Sequence, residues 1–440
     1  MAKAMGRSYT LASIYAGCFT FAPMSLIRSV AFHTLGCKLN YSETSSLGRL
    51  LEKEGFEKKE FDEQADVYVI NTCSVTDNAD KECRQLVRRI QRRAPESYVV
   101  ITGCYAQLKP NEIASIPGVD LVLGAAEKFN LPHHIKNLTH QDGVKICSCD
   151  IDDVTGFTAS WSSQDRTRSF LKVQDGCDYN CSFCTIPLAR GKSRSDSIAN
   201  VVANVHELAA AQTKEIVLTG VNLGDFGEGE EDFYQLVNVL DNIDGIERYR
   251  ISSIEPNLLT KEIIETVAKS KRFMPHFHVP LQSGSNRILG MMRRRYKREL
   301  YAERVAWIKE YMPHAAIGAD VIVGFPGESD EDFNETYEFL QGLAVTYLHV
   351  FTYSERENTL AKTLTDSVPI AVRHERNKKL RQLSFVKTKQ FTSQFYDTTR
   401  PVLFEKADHE GMMEGYTDNY IRVQTPYRKE WINSIVAWRI

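Results

Sequence analysis

In the N-terminal part of the chain, short apolar runs alternate with longer segments whose apolar residues recur every three or four positions. The short runs predict strands at residues 30–34, 67–71, 98–102 and 120–123. The longer segments predict helices at residues 42–54, 76–93 and 111–115, with Gly55 and Pro95 as stop signals. Such alternation is typical of a parallel sheet joined by right-handed crossovers. Residues 30–140 are therefore predicted to form an α/β domain.

A second alternating region follows a polar stretch between residues 135 and 165, where the periodicity is lost and residues 141–164 are predicted to be a linker. Six apolar runs predict strands at residues 170–173, 215–219, 249–253, 276–279, 319–323 and 347–351. Helices are predicted between them, for example at residues 197–210, 261–269, 300–311 and 330–343. Six units, rather than the eight of a closed barrel, predict an open (β/α)6 barrel over residues 165–385.

The C-terminal region is different again. A charged helix that ends near residue 392 is followed by apolar runs that predict strands at residues 401–405, 414–417, 420–424 and 435–439. Short strands of this kind predict a small β-barrel domain over residues 386–440. The predicted fold class is α/β, with a parallel N-terminal domain, an open barrel and a small β-barrel appendage.

The composition is that of a globular protein, with 42% hydrophobic and 25% charged residues. Because the formal net charge is −3, any contact with nucleic acid must come from a local positive surface. The cysteines are unusual because none lies beyond residue 184, and they occupy positions 18, 37, 73, 83, 104, 147, 149, 177, 181 and 184. Clustered thiols of this kind indicate metal binding rather than a disulfide framework.

Three of these cysteines, Cys177, Cys181 and Cys184, form a C-x3-C-x2-C loop directly after the first predicted barrel strand. Three thiolates at this spacing hold three irons of a 4Fe–4S cube and leave the fourth iron open. The alternatives are a zinc site that borrows a distant fourth ligand, or three unrelated core thiols. With Phe183 before the last cysteine, the loop resembles that of the radical S-adenosylmethionine superfamily, in which S-adenosylmethionine binds the open iron and is cleaved to a carbon radical.

Residues that end later barrel strands match cofactor-binding positions of that superfamily. Gly220 and Asn222 end the second strand, where the superfamily contacts the amine and carboxylate of the methionine moiety. Glu255 ends the third strand and Gln282 follows the fourth, and the resemblance implies further cofactor contacts there. The alternative is ordinary glycine and proline punctuation after strands. Their common place at the carboxyl ends of strands, where barrels keep active sites, favours the cofactor interpretation.

Cys37, Cys73 and Cys104 share no local motif, but each follows a predicted strand of the N-terminal sheet. In a parallel sheet these three loops emerge at one edge, where α/β folds bind ligands. The pattern therefore predicts that the three thiols converge and hold a second cluster with an open corner. The alternative is that each is a small buried thiol that packs as a hydrophobic residue. That structural role is preferred for the cysteines without such a placement, which are Cys83, Cys147 and Cys149.

Both cysteine sets lie within motifs that resemble the methylthiotransferase family over residues 31–440. The matching segments are Thr34-Leu-Gly-Cys37-Lys-Leu-Asn40, Asn71-Thr-Cys73-Ser-Val-Thr76, Gly103-Cys104-Tyr-Ala-Gln107, Cys177 to Arg190-Gly191, Pro280-Leu-Gln282-Ser-Gly284 and Met292-Arg-Arg-Arg-Tyr296. The resemblance implies a radical enzyme with two 4Fe–4S clusters and S-adenosylmethionine, which places a methylthio group on a modified adenosine of tRNA. It also implies that the C-terminal domain is similar to a TRAM domain, an RNA-binding module, although a short one.

The residues around the first two cysteines favour one branch of this family. Gly-Cys37-Lys-Leu-Asn and Thr-Cys73-Ser-Val-Thr are most similar to the branch that acts on threonylcarbamoyladenosine beside the anticodon. The same chemistry on isopentenyladenosine in tRNA, or on an aspartate of a ribosomal protein, is the nearest alternative. A non-enzymatic iron–sulfur carrier with an RNA-binding tail is the alternative from another class. The resemblance further implies two partners, the tRNA anticodon loop and a low-potential electron donor such as flavodoxin or ferredoxin.

Three basic runs, at residues 88–93, 293–298 and 373–381, are candidates for contact with tRNA phosphates. Charge runs on helices are usually solvated faces. The run at Arg293-Arg294-Arg295-Tyr296 is the exception, because it combines cations with an aromatic ring able to stack a splayed base. We therefore expect Arg294 and Arg295 to contact tRNA.

Residues 1–29 have some features of a signal peptide. Lys3 and Arg7 precede an uncharged stretch at residues 11–27, and Cys18 ends a near match to a lipoprotein cleavage site. The preferred alternative is a non-native or upstream-start extension, with the natural chain beginning at Met24. Because oxygen-labile clusters and tRNA both belong in the cytoplasm, we expect a cytoplasmic protein without a membrane span.

Overall fold

The computed structural model describes residues 27–73, 77–138, 143–163, 166–227, 229–407 and 411–440. The expected N-terminal extension, apart from its last three residues, lies outside these ranges, and so does Cys18. Among the helices of the described residues, none has both the length and the apolar character needed to cross a bilayer.

Six strands form the N-terminal sheet: β1 Ser29–Thr34, β2 Glu57–Lys59, β3 Val67–Thr72, β4 Tyr98–Gly103, β5 Leu121–Leu123 and β6 Lys145–Cys147. Five helices accompany them: α1 Lys38–Lys53, α2 Asp77–Arg93, α3 Cys104–Leu108, α4 Pro110–Ala114 and α5 Leu131–Lys136. All neighbouring strands pair in parallel, in the order β2-β1-β3-β4-β5-β6. The central strands β3 and β4 are almost entirely buried, as is usual for a parallel sheet covered on both faces. The predicted parallel α/β domain is confirmed.

The sequence does not predict strand β6. This strand lies inside residues 141–164, the segment expected to be a linker, and it pairs with β5. Its three residues are too few to show an alternating pattern, and Lys145 and Ile146 are exposed. A short edge strand of this kind carries little hydrophobic signal. The polar segment therefore extends the N-terminal sheet as well as connecting two domains.

Helix α1 begins at Lys38 rather than at residue 42. Its first two turns bury the polar residues Asn40, Ser42 and Glu43. Ser42 lies within hydrogen-bond distance of Ser160, which belongs to the barrel region. The apolar periodicity that predicts helices is absent here because the contact between the two domains is polar. The shifted boundary therefore marks a polar interface.

Nine strands belong to the barrel region: β7 Ser160–Trp161, β8 Arg168–Lys172, β9 Gln174–Asp175, β10 Arg194–Ser195, β11 Glu215–Thr219, β12 Arg248–Ile251, β13 His276–His278, β14 Ala316–Val323 and β15 Tyr347–Thr352. Eight helices alternate with them: α6 Ile186–Arg190, α7 Ile198–Ala210, α8 Phe233–Asp241, α9 Lys261–Lys269, α10 Asn286–Met291, α11 Arg298–Tyr311, α12 Asp330–Gly342 and α13 Ile370–Ser393.

Six of these strands make the parallel wall of an open barrel. Strands β8, β11 and β12 pair in parallel, and so do β13, β14 and β15. A parallel bridge between Ser253 and His278 joins the two groups. Within the part of the chain that the structure describes, no strand pairs with β15 on its other side, so the wall does not close. The predicted open (β/α)6 barrel is confirmed.

Residues along the barrel strands alternate between two environments. One set packs outward in the large hydrophobic core, as Ile216, Tyr249 and Val321 do. The other set is polar and its members contact one another across the barrel interior, as in the pairs Arg250–Glu215, His276–Tyr347 and His278–Asp320. The barrel interior is therefore lined by groups able to bind a polar ligand.

The C-terminal domain is a four-stranded antiparallel sheet: β16 Thr399–Ala407, β17 Met412–Thr417, β18 Arg422–Pro426 and β19 Ile435–Arg439. The strand order is β18-β17-β16-β19, which is compatible with the expected TRAM-like domain. Two buried arginines of β12 dock this domain on the barrel. Arg248 donates to the carbonyl oxygen of Pro401 at 2.8 Å, and Arg250 donates to that of Thr417 at 2.7 Å.

Candidate metal centres and substrate cavity

Cys177, Cys181 and Cys184, called here the local trio, lie in the loop between β9 and α6. The three side chains line one cavity of about 310 Å³ at the carboxyl ends of the barrel strands. Two backbone contacts fix the loop, since Cys177 donates its N–H to the carbonyl oxygen of Gly191 and Ser182 donates to that of Met292. The structure therefore brings the three predicted ligands to the face where barrels keep their active sites.

The environment of the local trio favours a positively charged ligand. Burial raises the pKa of Cys177 and of Cys184 to about 12, so these thiols lose their protons readily only beside added positive charge. Arg294 supplies one such charge, because its Nη1 lies 3.1 Å from Cys181 Sγ. Arg294 also pairs with Glu255 and donates to the hydroxyl of Tyr296. A metal cluster bound to the three sulfurs would stabilise their thiolate forms further.

Three of the four predicted cofactor-binding residues line the cavity of the local trio. Asn222, Glu255 and Gln282 face the same space as the thiols. Gly220 has a different role, since a Cβ atom there would lie 2.9 Å from Oε1 of Gln174. The same Gln174 oxygen accepts the N–H groups of residues 221 and 222. Gly220 therefore allows a close packing that positions the loop, and the sequence pattern gave no reason to single out Gln174.

Cys37, Cys73 and Cys104, called here the dispersed trio, follow β1, β3 and β4. A Cβ atom on Gly36 would lie 2.7 Å from Cys73 Sγ, so the first two loops are in contact. Burial raises the pKa of Cys104, and the charged groups that act on it most strongly are Arg190 and Cys37. The three loops therefore meet at one edge of the sheet, as their positions after successive strands predicted.

The sulfur spacing distinguishes between a single ion and a larger group. In neither trio do all three sulfurs lie within 4.8 Å of one another. A single tetrahedral zinc ion with bonds of about 2.3 Å draws its sulfur ligands to about 3.8 Å from each other. The wider spacing fits an iron–sulfur cube, whose ligands bind different irons.

Arg190 joins the two trios. It is the last residue of α6 and is almost fully buried. Its guanidinium donates to Asn40 Oδ1 at 2.6 Å, to Asp175 Oδ1 at 2.8 Å and to Glu43 Oε1 at 3.1 Å. Asp175 precedes the local trio in the chain, whereas Asn40 and Glu43 belong to α1 of the N-terminal domain. One side chain therefore holds both ends of the local-trio loop and the neighbouring domain.

Asn40 extends this connection to the dispersed trio. Its Nδ2 donates to the carbonyl oxygen of Leu35 at 2.8 Å and to that of Thr72 at 3.0 Å. These carbonyls lie just before Cys37 and Cys73 in the chain. The two trios are thus linked by an unbroken chain of buried hydrogen bonds, which fixes the position of one relative to the other.

The carboxylates of this interface remain ionised. Burial alone would raise the pKa of Glu43, but Arg190 and Lys128 hold it well below its usual range. Lys128 approaches Glu43 at 2.8 Å and Lys172 approaches it at 3.4 Å. A buried charge network of this kind is costly to break, because removing one member leaves the others uncompensated. Of Glu43, Lys128, Lys172 and Arg190, Arg190 alone lay in a motif singled out in the sequence.

A second, larger cavity of about 1020 Å³ opens beside the dispersed trio, and we call it the lateral cavity. It lies between α1, strand β8 and the C-terminal domain. Its lining includes Cys37, Lys38, Tyr41, Arg166, Arg168, Phe170 and Tyr420. The ring of Tyr420 stacks on His276 with a centroid distance of 4.0 Å, so the C-terminal domain contributes an aromatic side chain to the barrel interior. Aromatic rings and cations together suit an RNA base and its phosphates.

The inner surfaces of β13, β14 and β15 carry a further polar group. Among the described residues, His278, Asp320 and His349 are the set of histidine, cysteine and carboxylate side chains whose ligand atoms all lie within 4.8 Å. Asp320 Oδ1 accepts a hydrogen bond from His278 Nε2 at 2.8 Å. Asp320 also lines the cavity of the local trio. Asp320 therefore connects this polar group to the cavity of the local trio, and the sequence pattern carried no signal for these residues.

The expectation that Arg294 contacts tRNA is wrong. Its side chain is 4% exposed and is occupied by Glu255 and Cys181. Tyr296 is equally unsuited to stack a base, because its buried hydroxyl donates to backbone carbonyls at residues 280 and 281. Arg293 and Arg295 of this run are exposed, and the guanidinium of Arg295 lies 4.0 Å from the ring centre of Tyr179. The charge of Arg294 instead serves the local trio, through its contacts with Cys181 and Glu255.

Cys83 and two arginines of the third basic run have structural roles. Cys83 is fully buried in the hydrophobic core of the N-terminal domain, as expected. In the run at residues 373–381, Arg373 and Arg376 are buried and pair with Glu355 and Glu328. These arginines hold α13 against the barrel, so they are not available to bind phosphate.

Models of known families match two parts of the chain. Residues 29–124 match Uncharacterized protein family UPF0004, and residues 171–340 match the Radical SAM superfamily. The chain is 42% identical over 427 residues to the threonylcarbamoyladenosine tRNA methylthiotransferase MtaB of Bacillus subtilis (strain 168). This alignment covers 94% of this chain and 93% of the relative. It is 31% identical over 421 residues to the tRNA-2-methylthio-N(6)-dimethylallyladenosine synthase of Clostridium tetani (strain Massachusetts / E88), with 92% of each chain covered.

A solved structure shares the fold. The radical S-adenosylmethionine methyltransferase TsrM from Kitasatospora setae superposes with a TM-score of 0.55 at 15% identity, over 76% of this chain and 77% of that chain. The two family matches fall on the N-terminal domain and on the barrel, which carry the dispersed and the local trio respectively. Relatives of nearly full length are methylthiotransferases at 42% and 31% identity. The chain therefore belongs to the radical S-adenosylmethionine methylthiotransferase family.

Proposed function

We propose that this protein adds a methylthio group to carbon 2 of the adenine in threonylcarbamoyladenosine of tRNA. The observation that carries the proposal is the buried connection through Arg190 and Asn40, which holds two separate sets of three thiols in fixed relation. Several relatives at 34–42% identity are threonylcarbamoyladenosine tRNA methylthiotransferases, which supports this substrate.

The two trios are assigned to two 4Fe–4S clusters. Cys177, Cys181 and Cys184 would hold one cluster and leave an open iron for S-adenosylmethionine, and the dispersed trio of Cys37, Cys73 and Cys104 would hold the other. When bound, the first cluster with S-adenosylmethionine supplies a carbon radical, and the second supplies a place for the sulfur to be transferred. Such chemistry is needed because the hydrogen on carbon 2 of adenine is not acidic. General acid–base catalysis, which contributes about 10²–10⁴-fold, therefore cannot activate this carbon for substitution.

The side chains of this chain position and enclose the reactants. Arg294 places its positive charge beside the sulfur of Cys181 and pairs with Glu255 at the cavity wall. Asn222 accepts the N–H of Glu255 on its Oδ1, so a hydrogen bond joins the loops after β11 and β12. We assign contacts with S-adenosylmethionine to Asn222, Glu255 and Gln282, and we assign Gly220 an indirect part through Gln174. The substrate base would enter from the lateral cavity, whose wall includes Cys37 and Tyr420.

The proposed function implies a tRNA anticodon loop as substrate and a low-potential electron donor such as flavodoxin or ferredoxin. The donor is needed because cleavage of S-adenosylmethionine to a radical consumes one electron. A cytoplasmic location follows from the same two partners, since tRNA and such reductants are found there.

Two measurements on anaerobically reconstituted protein test the proposal. With reductant and S-adenosylmethionine, we expect 5′-deoxyadenosine to form, whereas a non-enzymatic iron–sulfur carrier would release none. With tRNA that contains threonylcarbamoyladenosine, nucleoside analysis should show its 2-methylthio derivative. If the methylthio group appeared only on isopentenyladenosine, the assignment of substrate would be wrong while the chemistry would stand.

A further inference from the structure

Lys38 is a cation beside the dispersed trio, and its ammonium group pairs with no carboxylate of the residues that the structure describes. It follows Cys37 in the chain and is the first residue of α1. Its side chain lines the lateral cavity together with Cys37 and Tyr420. Among the described residues, Lys38 makes no hydrogen bond and no ion pair. A partly buried ammonium group without a hydrogen-bonded partner is costly, so a ligand that brings an anion would be favoured there.

The neighbouring charged groups are already engaged. Arg168 pairs with Glu405, and Arg166 lies 4.5 Å from the ring centre of Tyr41. Asp320, a carboxylate close enough to act on Lys38, accepts a hydrogen bond from His278 at 2.8 Å. Among the described cations next to Cys37 in this cavity, Lys38 is therefore the one whose side chain has neither a carboxylate nor an aromatic ring as a partner.

The two substrate classes of this family differ in charge at the same place. A threonylcarbamoyl group on adenosine carries the free carboxylate of threonine, which is ionised at neutral pH, whereas a dimethylallyl group is apolar and uncharged. A cation beside the substituent therefore favours the first class, and an uncharged side chain does not. A lysine meets this need because its ammonium is a compact charge on a flexible stem.

We propose that Lys38 binds the threonine carboxylate of the modified adenosine and thereby determines the substrate class. This inference rests on the proposed function and deepens it. Lys38 is a specificity-determining residue here, and its removal should weaken recognition of the carboxylate while leaving both thiol trios in place. A charge-assisted hydrogen bond of this kind makes a difference of about 10- to 100-fold in affinity.

The test compares three synthetic anticodon stem-loops that differ only at the adenosine beside the anticodon. One carries unmodified adenosine, the second threonylcarbamoyladenosine, and the third its carboxamide, which keeps the shape and removes the charge. Anaerobic binding to reconstituted wild-type protein, K38Q and K38R would be measured by fluorescence anisotropy. We expect K38Q to lose about 10- to 100-fold in affinity for the carboxylate alone, and K38R to recover part of that loss because it restores the charge.

Lys58→Gln is the matched control, because Lys58 is an exposed cation in the wall of the same cavity. A general phosphate contact would weaken all three stem-loops alike, and this is the expected behaviour of K58Q if it has any effect. The same uniform loss in K38Q would overturn the proposal and assign Lys38 to the RNA backbone. Unchanged binding of all three stem-loops by K38Q would also overturn it.

Two further checks distinguish the loss of a Lys38 contact from misfolding of the variant and from a wrong assignment of the substrate. Binding of the unmodified stem-loop reports whether K38Q is folded, and iron content reports whether Cys37 still holds its ligand. If K38Q fails either check, the comparison of carboxylate with carboxamide in wild-type protein decides, since equal affinity for the two would refute a carboxylate contact. Turnover of threonylcarbamoyl tRNA by wild-type protein tests the proposed function independently, because turnover without discrimination between these two ligands would leave that function standing and remove only the role of Lys38.

Discussion

The local and the dispersed trio each consist of three cysteine thiols, but the chain brings the three together in different ways. The local trio lies within eight consecutive residues, from Cys177 to Cys184, on one loop that a few backbone contacts fix. The dispersed trio comes from three loops that only the parallel order of β1, β3 and β4 brings together. The first is therefore a property of sequence spacing, whereas the second is a property of the fold. A perturbation of the N-terminal sheet should affect only the dispersed trio.

Replacing the cysteines should give the largest effect and separates the two trios. In the triple variant C37A/C73A/C104A, we expect the iron content to fall by about four per chain while 5′-deoxyadenosine still forms. In C177A/C181A/C184A, both 5′-deoxyadenosine and the methylthio product should be lost, by more than about 100-fold, because loss of a ligand exceeds the usual cost of losing its supporting partner. Iron analysis and product chromatography would measure both.

The C83A variant is the control, since Cys83 is a fully buried thiol of the hydrophobic core of the N-terminal domain and belongs to neither trio. It should retain its iron, although it loses a little stability from the small cavity left behind. If the dispersed-trio variant kept all of its iron, the comparison would fail, because one of the two sets would then not be a metal site.

Removing Arg190 should have the next largest effect, because this residue connects the trios. R190Q leaves the buried carboxylates Glu43 and Asp175 without their main partner, and the loss should lower the free energy of unfolding by about 3–5 kcal/mol. R439Q is the matched control, because Arg439 pairs with Asp397 at the surface, where both side chains are more than two-thirds exposed. We expect less than about 1 kcal/mol for that pair. Urea unfolding would compare the two variants, and equal losses would show that the interface is not a single buried network.

Arg294 sharpens the comparison because it touches only the local trio. R294Q removes the donor 3.1 Å from Cys181 Sγ and frees Glu255, so S-adenosylmethionine cleavage should fall by about 10- to 100-fold. R295Q should have a much smaller effect, because Arg295 is exposed and, among the described residues, its guanidinium lies on Tyr179 and donates to the carbonyl of Asp178 instead of contacting a cysteine sulfur. The assay is formation of 5′-deoxyadenosine without tRNA. Equal rates in all three proteins would contradict the role given to Arg294.

The same contrast explains how far the sequence could predict the molecule. Periodicity predicted strands β1, β3, β4 and β5 of the N-terminal sheet and the six parallel strands of the barrel, and spacing predicted the local trio. The dispersed trio also followed, because each cysteine ends a strand and parallel strands share an edge. The start of α1, the short strands β2 and β6 and the engagement of Arg294 did not follow. At the start of α1, polar side chains pack against other polar side chains across a domain boundary, as Asn40 does with Arg190, and hydrophobic periodicity carries no information about such contacts. Strands β2 and β6 have three residues each, too few to show a pattern, and Arg294 is held by polar contacts within the barrel.

The smallest expected effect is a change in the pH dependence of stability on replacing Glu215, which lies at the opposite end of the barrel from the local trio. Burial alone would raise the pKa of Glu215, but Arg250 and Arg168 lower it below its ordinary value of 4.5. Because the folded-state pKa is depressed, its contribution to stability is complete above about pH 4.5 and is lost as the pH falls further. The loss amounts to about 1.4 kcal/mol for each pH unit that separates the folded from the unfolded pKa. E215Q should therefore show a flatter dependence of the urea midpoint on pH below 5 than the wild type.

The exposed residue Glu331 gives the control, since E331Q should keep the wild-type pH dependence. At pH 7, E215Q should also retain the iron of both trios, because Glu215 supports the arginines that dock the C-terminal domain and contacts neither cysteine loop. That result would contrast with R190Q, in which the connection between the cysteine loops is broken. If E215Q lost iron from the dispersed trio alone, the buried ion pairs of Glu215 would also help to hold the N-terminal domain. The dispersed trio would then depend on all three domains rather than on one sheet.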